Sequence, residues 1–235
     1  IASHDLQEPL RKIQAFGQLL QDQHAETLGT GVDYLKRMQS AASRMSILIQ
    51  DLLAFSRIST RQDTNAMVAL NDVIRLVLTD LEIMIQEARA QVKIEQLPTV
   101  LGDAVQLGQL FQNLLSNALK FRLPGVAPIV RISYDVLIAA KLPTGVKPAR
   151  SAKSYYRVTV TDNGIGFDQQ YADRIFQVFQ RLHGKAHYAG TGIGLAICEK
   201  VAVNHGGAIT ASSQPGHGAT FSVYLPAGLG PATTG

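Results

Sequence analysis

The sequence predicts an α+β protein, in which an antiparallel helical hairpin precedes a domain with one mostly antiparallel sheet covered by helices. Three observations predict it: two early stretches have apolar residues at alternating steps of three and four, a polar segment follows them, and short apolar strands then alternate with helices. With 235 residues, 46% of them hydrophobic, the chain is long enough for one sizeable core and a smaller module.

The first 57 residues have the periodicity of two helices. The first predicted helix has a narrow seam of small and apolar residues at Leu6, Leu10, Ile13, Gly17 and Leu20. After two glycines the seam resumes at Leu35, Met38, Ala42, Met45, Ile49 and Leu52. Two helices alone cannot bury both seams, so we expect a second copy to complete a four-helix bundle. The alternative is that the hairpin packs on its own second domain.

The polar stretch after Arg57 is interpreted as a linker. The predicted organisation is a hairpin at 1–60, a linker at 61–66, a second domain at 67–228 and a flexible tail at 229–235. In the second domain we expect helices at 71–90, 103–121 and 191–204. We expect strands at 67–70, 92–95, 129–137, 156–161, 208–212 and 220–225, the third with one face formed by Val130, Ile132, Tyr134 and Val136.

Composition and charge narrow the function classes. The single Cys198 fits a reducing, cytoplasmic location, and no apolar run approaches the roughly 20 residues of a membrane span. The net charge is +4, but no recognition helix accompanies it, so nucleic acid is not an expected partner. Because the chain begins at Ile1, inside a predicted helix, we expect a fragment whose upstream part is missing. The full protein could still be membrane-anchored.

One basic stretch lies between Asp135 and Asp162, with five cations and no acid: Lys141, Lys147, Arg150, Lys153 and Arg157. Its prolines and glycine predict that the middle, about 139–155, is a long exposed hairpin loop. A solvated loop is the simpler interpretation, and docking of an acidic partner or a membrane surface is the alternative.

The helix predicted at 103–121 has a polar face. Asn113, Asn117 and Lys120 lie four and three residues apart, away from the apolar stripe of Leu107, Phe111, Leu114, Ala118 and Phe121. An asparagine oxygen suits Mg²⁺ when phosphates supply the other ligands, and a lysine neutralises phosphate charge. Taken alone, such a face is more often solvated surface than a functional site.

Two glycine-rich segments follow. Asp162 ends an apolar strand and precedes Gly164 and Gly166, so its carboxylate can accept a hydrogen bond from an adenine amino group while the glycines admit a planar base. A tight turn is the alternative, since Asn-Gly favours hairpins. Farther on, glycines at 190, 192 and 194 precede a helix whose first N–H groups can face phosphates.

The order NLLSNALKF, VTDNGIGF, IFQVFQRLH and AGTGIGLAI resembles the N, first glycine, phenylalanine and second glycine boxes of the histidine-kinase ATP-binding domain, a Bergerat-type α/β sandwich. The superfamily includes DNA gyrase and a heat-shock chaperone. The opening SHDLQEPL resembles the H box of the phosphoacceptor domain in phytochrome-like and PAS-linked sensor kinases. Together these motifs cover nearly the whole chain. They imply a two-component sensor kinase: a homodimer that uses ATP and Mg²⁺, with an upstream sensory domain and a response regulator receiver domain as partner.

The resemblance also implies residue roles. His4 becomes the phosphoacceptor and Asp5 its adjacent acid or base. A histidine has a pKa near 6.5, so most His4 side chains would be neutral and nucleophilic at neutral pH. Asn117 becomes the Mg²⁺ ligand. The implied nucleotide site comprises Asn113, Asn117, Lys120, Asp162, Gly164, Gly166, Arg181, His183, Gly190, Thr191, Gly192, Gly194 and Leu195.

The stretch from 167 to 190 is expected to be a mobile lid over the nucleotide, anchored by Phe176 and Phe179, although these could be ordinary core residues. His24, His205 and His217 lack metal spacing and are expected at the surface or as helix caps. Cys198 is expected in the core.

Two positions depart from the family pattern. Asn113 replaces the glutamate that activates water in ATP-hydrolysing relatives, which disfavours a gyrase-like ATPase. Glu8 replaces the threonine or asparagine that bifunctional kinases carry four residues after the phosphorylated histidine, so phosphatase activity is expected to be weak or absent. The non-enzymatic alternative is a dimeric nucleotide-binding scaffold that transfers no phosphate.

Overall fold

The computed structural model describes residues 2–58, 66–182 and 190–227, with only the backbone of residues 2–6. It divides into two compact units, Ile1–Arg57 and Ile58–Gly235. Most of the predicted linker at 61–66 and all of the tail at 229–235 lie outside the described residues, and the domain boundaries at 1–60 and 67–228 stay predictions.

The first unit is an antiparallel hairpin of helices α1 (Ala2–Leu28) and α2 (Gly31–Arg57), as the periodicity predicts. The turn between them passes through Gly29, whose φ of 50° favours a residue without a Cβ atom. A Cβ atom at Gly17 would come within 2.9 Å of Gln39 Cγ, so the two helices are closely packed there. Among the seam residues whose side chains are described, Leu10, Gly17, Leu35 and Ala42 are buried in the single chain.

The second unit is an α/β sandwich. Its helices are α3 (Leu70–Asp80), α4 (Glu82–Ala88), α5 (Ala104–Lys120) and α6 (Gly194–Asn204). Its strands are β1 (Ala66–Ala69), β2 (Gln91–Ile94), β3 (Thr99–Gly102), β4 (Ile129–Ile138), β5 (Ser154–Asp162), β6 (Ala208–Ser213) and β7 (Ala219–Pro226). The main sheet has the order β2-β4-β5-β7-β6, in which only the β2–β4 pair is parallel, and β1 pairs with β3 separately. The predicted fold class is confirmed.

Two elements differ from the sequence prediction. The helix predicted at 71–90 is interrupted at Leu81, a buried residue with φ −96° and ψ 5°, so the chain forms α3 and α4 instead of one helix. Strand β3 was not predicted; it forms by pairing with β1, with Ala66 opposite Gly102. Because the strand that pairs with β3 is about 30 residues away in the sequence, the residues around β3 show no pattern that would predict it.

The core lies between one face of the main sheet and the helices. On α5 the predicted stripe is buried except at its last member, since Leu107, Phe111, Leu114 and Ala118 have little or no exposure and Phe121 is half-buried. The alternating face of β4 is covered only along its first half: Val130 is fully buried, whereas Val136 is 57% exposed. Alternation therefore predicts the shared face but not how far the helices cover it.

The basic stretch forms an ordered connection between β4 and β5. Its backbone is tied to the turn after α6, because the N–H groups of Ala149 and Arg150 donate to the carbonyls of Gly207 and Gly206 at 3.0 and 2.9 Å. Arg157 forms a bidentate ion pair with Asp135 at 2.8 and 2.7 Å. The other four cations are exposed, and their docking role stays a prediction. Across the described residues, no helix is long and apolar enough to cross a membrane.

Candidate functional site

Helix α5 carries the predicted polar face. Its start is fixed by Asp103, whose carboxylate accepts the N–H groups of Val105 and Gln106 at 2.8 and 3.2 Å and so caps the helix. With this register, the apolar stripe is buried and Asn113, Asn117 and Lys120 are all half-buried. Half-burial leaves their polar groups accessible to a ligand.

Two cations meet near Gly190. The Lys120 ammonium lies 2.8 Å from the position that a Cβ atom on Gly190 would occupy. Arg181 donates from Nη1 to the Gly190 carbonyl at 2.8 Å. Burial, and then the charge of Arg181, lower the pKa of Lys120. A partly buried pair of like charges is unfavourable in isolation, and an anionic group placed between them would relieve it.

Asp162 lies at the end of β5, with one carboxylate oxygen held by the backbone. Its Oδ1 atom accepts the N–H groups of Gly164 at 2.8 Å and Ala219 at 3.2 Å. Burial nevertheless raises the pKa of Asp162, and the two backbone hydrogen bonds offset this only in part. From the described part of the chain, no hydrogen bond reaches Oδ2, so that oxygen is available to a donor.

The first glycine segment is packed against α5. A Cβ atom at Gly164 would collide with the carbonyl oxygen of Phe121, the residue after Lys120. The same carbonyl accepts the N–H of Ile165 at 2.9 Å. Asn163 bridges to the start of β4, where its Oδ1 accepts the Ile129 N–H at 2.8 Å. This segment therefore joins β5 to the end of α5, and the alternative of a tight hairpin turn is wrong. Gly166 has a φ of 61°.

The second glycine segment leads into α6, which begins at Gly194, three residues later than predicted. Gly192, with φ 77°, accepts the N–H of Phe179 at 2.9 Å. A Cβ atom on Gly194 would approach Asn113 Oδ1 to 2.9 Å, so the second glycine segment and the polar face of α5 are in contact. Thr191 and Leu195 are half-buried in the same segment.

The site is thus a continuous series of contacts. Asp162 contacts Gly164, Gly164 contacts the end of α5, Lys120 contacts Gly190, and Gly194 contacts Asn113. Sequence reasoning missed two contributors, the Phe121 carbonyl and the backbone of Gly218 and Ala219. For Gly218 and Ala219, the available signal was the pair of glycines, Gly216 and Gly218, just before the last strand.

Three predicted site residues cannot be placed in this geometry. His4 and Asp5 lie in the first turns of α1 in the hairpin unit, and their side chains are not described. His183 lies outside the described residues. Pro9 is inside α1, and its missing N–H leaves the Asp5 carbonyl without its usual helical partner.

The predicted lid is partly folded. Up to Leu182, it contains two short 3₁₀ helices, Gln169–Tyr171 and Arg174–Phe176. Phe176 is buried, whereas Phe179 is 59% exposed with φ 66°. The two phenylalanines therefore differ, and only Phe176 is an ordinary core residue. The remainder of this segment, 183–189, lies outside the described residues.

An α/β sandwich with a half-buried carboxylate at a strand end, two glycine segments and two neighbouring cations has the features of a nucleotide-binding domain. Comparison with known families agrees. Residues 102–229 match the model described as histidine kinase-, DNA gyrase B-, and HSP90-like ATPase. Residues 1–61 match the His Kinase A (phospho-acceptor) domain. The chain therefore belongs to the sensor histidine kinases, and it comprises their catalytic core.

Individual relatives extend this result. The chain is 36% identical over 229 residues to phytochrome-like protein Cph1 of Synechocystis, covering 97% of this chain and 28% of that protein. It is 38% identical to cyanobacterial phytochrome A of Nostoc, with the same coverage. The chain thus spans less than a third of these relatives.

Solved structures share the fold. Full-length ShkA in complex with AMPPNP superposes with a TM-score of 0.67 at 24% identity, covering 96% of this chain and 44% of that one. The histidine kinase AdeS of Acinetobacter baumannii gives 0.60 at 21% identity, covering 95% and 97%. Both likenesses concern the architecture.

Proposed function

We propose that this chain is the Mg²⁺- and ATP-dependent kinase core of a two-component system, which phosphorylates its own His4 and passes the phosphoryl group to an aspartate of a response regulator receiver domain. One observation carries the proposal above the others. A phosphoacceptor domain that contains His4 and an ATP-binding domain occur in the same chain.

The geometry around Asp162 and Lys120 supports ATP as the nucleotide. The Oδ2 oxygen of Asp162 accepts the adenine amino group, while Gly164 and Gly166 leave space for the base. Lys120 and Arg181 neutralise phosphate charge near Gly190. His183, Gly190, Thr191, Gly192, Gly194 and Leu195 complete the phosphate side in this proposal.

Asn117 is the proposed protein ligand of Mg²⁺. In the described residues, no group of three or more His, Cys, Asp and Glu side chains could hold a metal ion. A single amide oxygen fits a cation that takes most of its ligands from phosphates and water. Mg²⁺ supplies charge neutralisation when bound; Asn117 orients it.

The proposed reaction takes place at a ring nitrogen of His4. This nitrogen forms a bond to the γ-phosphorus, the bond from that phosphorus to the bridging oxygen breaks, and the electron pair leaves with ADP. Asp5 holds the ring tautomer and takes the displaced ring proton. Asn113 cannot accept a proton at neutral pH, so water is not activated as a competing nucleophile.

A homodimer is part of the proposal because the hairpin leaves large apolar side chains exposed. Phe16 and Met38 are 63% and 61% exposed in the single chain. Others in the same state are Ile13, Leu19, Leu20, Met45 and Leu52. Burying them between two hairpins gives a four-helix bundle. The upstream sensory domain belongs to the same proposal.

The test is labelling with [γ-³²P]ATP and Mg²⁺. We expect acid-labile, alkali-stable label on the wild type, no label on His4→Gln, and rapid transfer of the label to an isolated cognate receiver domain. Nucleotide binding without label would instead favour the dimeric scaffold. Steady phosphate release that persists in His4→Gln would favour a gyrase-like ATPase.

A further inference from the structure

The C-terminal end of α6 is joined to the N-terminal end of α5 by one imidazole. His205 is the residue that caps α6, and its Nδ1 atom lies 2.8 Å from the Val201 carbonyl of the same helix. Its Nε2 atom accepts the backbone N–H of Asp103 at 3.0 Å, and Asp103 is the residue that caps α5. The hydrogen bond from Asp103 to His205 joins positions 102 residues apart.

The surroundings leave little freedom to this imidazole. A Cβ atom at Gly102 would collide with the His205 ring, so a glycine is needed immediately before Asp103. His205 is half-buried, and its ring donates one hydrogen bond and accepts another. Only the neutral ring with its proton on Nδ1 satisfies both, because a doubly protonated ring has no acceptor for the Asp103 N–H.

The nucleotide site lies at the C-terminal half of α5 and the N-terminal end of α6. Asn113 contacts Gly194 there, and between the two ends the Cys198 thiol donates to the Leu110 carbonyl at 3.5 Å. The helices are therefore antiparallel neighbours with contacts at three levels. At the end away from the nucleotide site, α6 is held to α5 by His205 and by a longer hydrogen bond, from Asn204 Nδ2 to Gln106 Oε1 at 3.4 Å.

We propose that His205 is a positioning residue: in its neutral form it fixes α6 against α5 and so keeps Gly194 in register with Asn113, and its protonation releases this connection and weakens nucleotide binding. The proposal deepens the function proposed above and rests on it, since the site it positions is the ATP site. His205 itself touches neither ATP nor His4 in this scheme.

The charges around His205 favour the neutral ring. Burial lowers the pKa of His205, whereas its bond to Val201 and the nearby Asp103 carboxylate raise it by less. Arg150, in the β4–β5 connection, lies against the next residue, Gly206, and β3 contributes only uncharged groups. Because the folded-state pKa is below 6.5, the stabilisation is present above that pH and is lost as the pH falls through the folded-state value.

Substitution of His205 by glutamine or by asparagine distinguishes its two hydrogen bonds, the one to Asp103 and the one to Val201. In His205→Gln, the side-chain oxygen can reach the Nε2 position and accept from Asp103 without titrating. In His205→Asn, the shorter side chain reaches only the Nδ1 position. Both are neutral and similar in size, so their difference isolates the bond to α5.

The experiment measures the affinity of the whole chain for a fluorescent ATP analogue from pH 7.5 down to the lowest pH at which the chain stays folded, well below the unfolding temperature. We expect the wild type to lose affinity relative to His205→Gln as the pH falls through the lowered folded-state pKa, by roughly fivefold to tenfold once the ring is protonated. We expect His205→Asn to bind more weakly than His205→Gln by a similar factor already at pH 7.5. Equal pH profiles for wild type and Gln, or equal affinities for Gln and Asn, would overturn the proposal.

A second measurement does not depend on nucleotide. The hydrogen exchange rate of the Asp103 amide should rise in His205→Asn but stay slow in His205→Gln at pH 7.5. If the wild type binds no ATP analogue while this difference is present, the proposed function fails and the connection from His205 to α5 stands. If the two variants exchange alike, the connection itself is wrong.

Discussion

Asn113 Oδ1 lies 2.9 Å from the place that a Cβ atom on Gly194 would occupy. A side chain at 194 must therefore displace the Asn113 amide or move the start of α6. This contact joins two segments that are 81 residues apart, and it explains why the second glycine segment ends on a glycine.

Gly194→Ala is expected to weaken ATP binding by at least about tenfold, because the start of α6 would shift where its N–H groups face the phosphates. Gly108→Ala, on α5, is the matched control. A Cβ atom at Gly108 would lie 3.9 Å from Val73 Cγ1, an ordinary contact. This control should keep ATP affinity and stabilise the fold by about 0.5–1 kcal/mol. Calorimetric titration and urea unfolding measure both, and equal affinities for the two variants would contradict the expectation.

Asp162→Asn should separate stability from binding. Because burial raises the pKa of Asp162, the group stabilises the fold only when it is a protonated carboxyl at low pH, and that stability is lost as the pH rises from 3.8 through the folded-state value. The amide removes this penalty, so the free energy of unfolding at pH 7 should stay equal or increase. Its oxygen, however, stays with the Gly164 and Ala219 N–H groups, which turns the NH₂ group towards the adenine amino group. ATP affinity should drop at least about tenfold.

The same experiment has a built-in control in the nucleotide. If Asp162 selects adenine, the wild type binds ATP more tightly than GTP. In Asp162→Asn, the ratio of the ATP affinity to the GTP affinity should be smaller. A variant that is strongly destabilised without nucleotide, or that discriminates as well as the wild type, argues against the assigned role.

Lys120 should make ATP affinity decrease at alkaline pH, which gives the pH profile an alkaline limb. Burial and Arg181 lower its pKa, so its positive charge disappears at a lower pH than that of an ordinary lysine, whose pKa is near 10.5. ATP affinity should therefore decrease as the pH rises through this lowered value. Lys120→Arg should lack the limb, since a guanidinium does not titrate there. Lys120→Gln should weaken ATP far more than adenosine, as binding assays at constant salt can measure.

The hairpin surface predicts the oligomeric state. Met38→Glu places a charge on an exposed apolar position of α2, and it should shift the chain from dimer to monomer in light scattering. Ser40→Glu adds the same charge two residues on, on the opposite side of the helix, and should leave the dimer intact. Monomers in the wild type at micromolar concentration, or dimers in both variants, would refute the four-helix bundle.

Glu8 predicts a kinase with little phosphatase activity. Its carboxylate pairs with Lys12 at 2.8 Å one helical turn on, an exposed contact of small energetic value. Because a carboxylate there does not orient water as a threonine does, phosphate on a cognate receiver domain should persist when this chain is added without ATP. Glu8→Thr should accelerate its loss. Rapid loss with the wild type would show that Glu8 does not block this reaction.

Much of the fold follows from local pattern. The alternating steps of three and four specify α1 and α2, and the stripe from Leu107 to Ala118 specifies α5, because helix periodicity is a property of neighbouring residues. The motif order in the second domain identified the family for the same reason, since each box is a short contiguous segment.

The tertiary structure decided what distant segments do together. Strand β3 depends on β1, the break at Leu81 places that residue in the core, and the Asn163-Gly164 pair joins β5 to α5 instead of forming a hairpin turn. Likewise, the Asp162 carboxylate is held by Ala219, 57 residues away, and Asp103 by His205.

By itself, the sequence determined two seam helices, the family and the chemical types of the site residues, since these depend on spacing along the chain. Only the tertiary structure decided which oxygen of Asp162 is available, which two cations lie beside Gly190 and which histidine joins α6 to α5 by hydrogen bonds. These depend on how helices and strands pack, and hydrogen bonding and desolvation at a residue are set by neighbours that the local sequence does not specify.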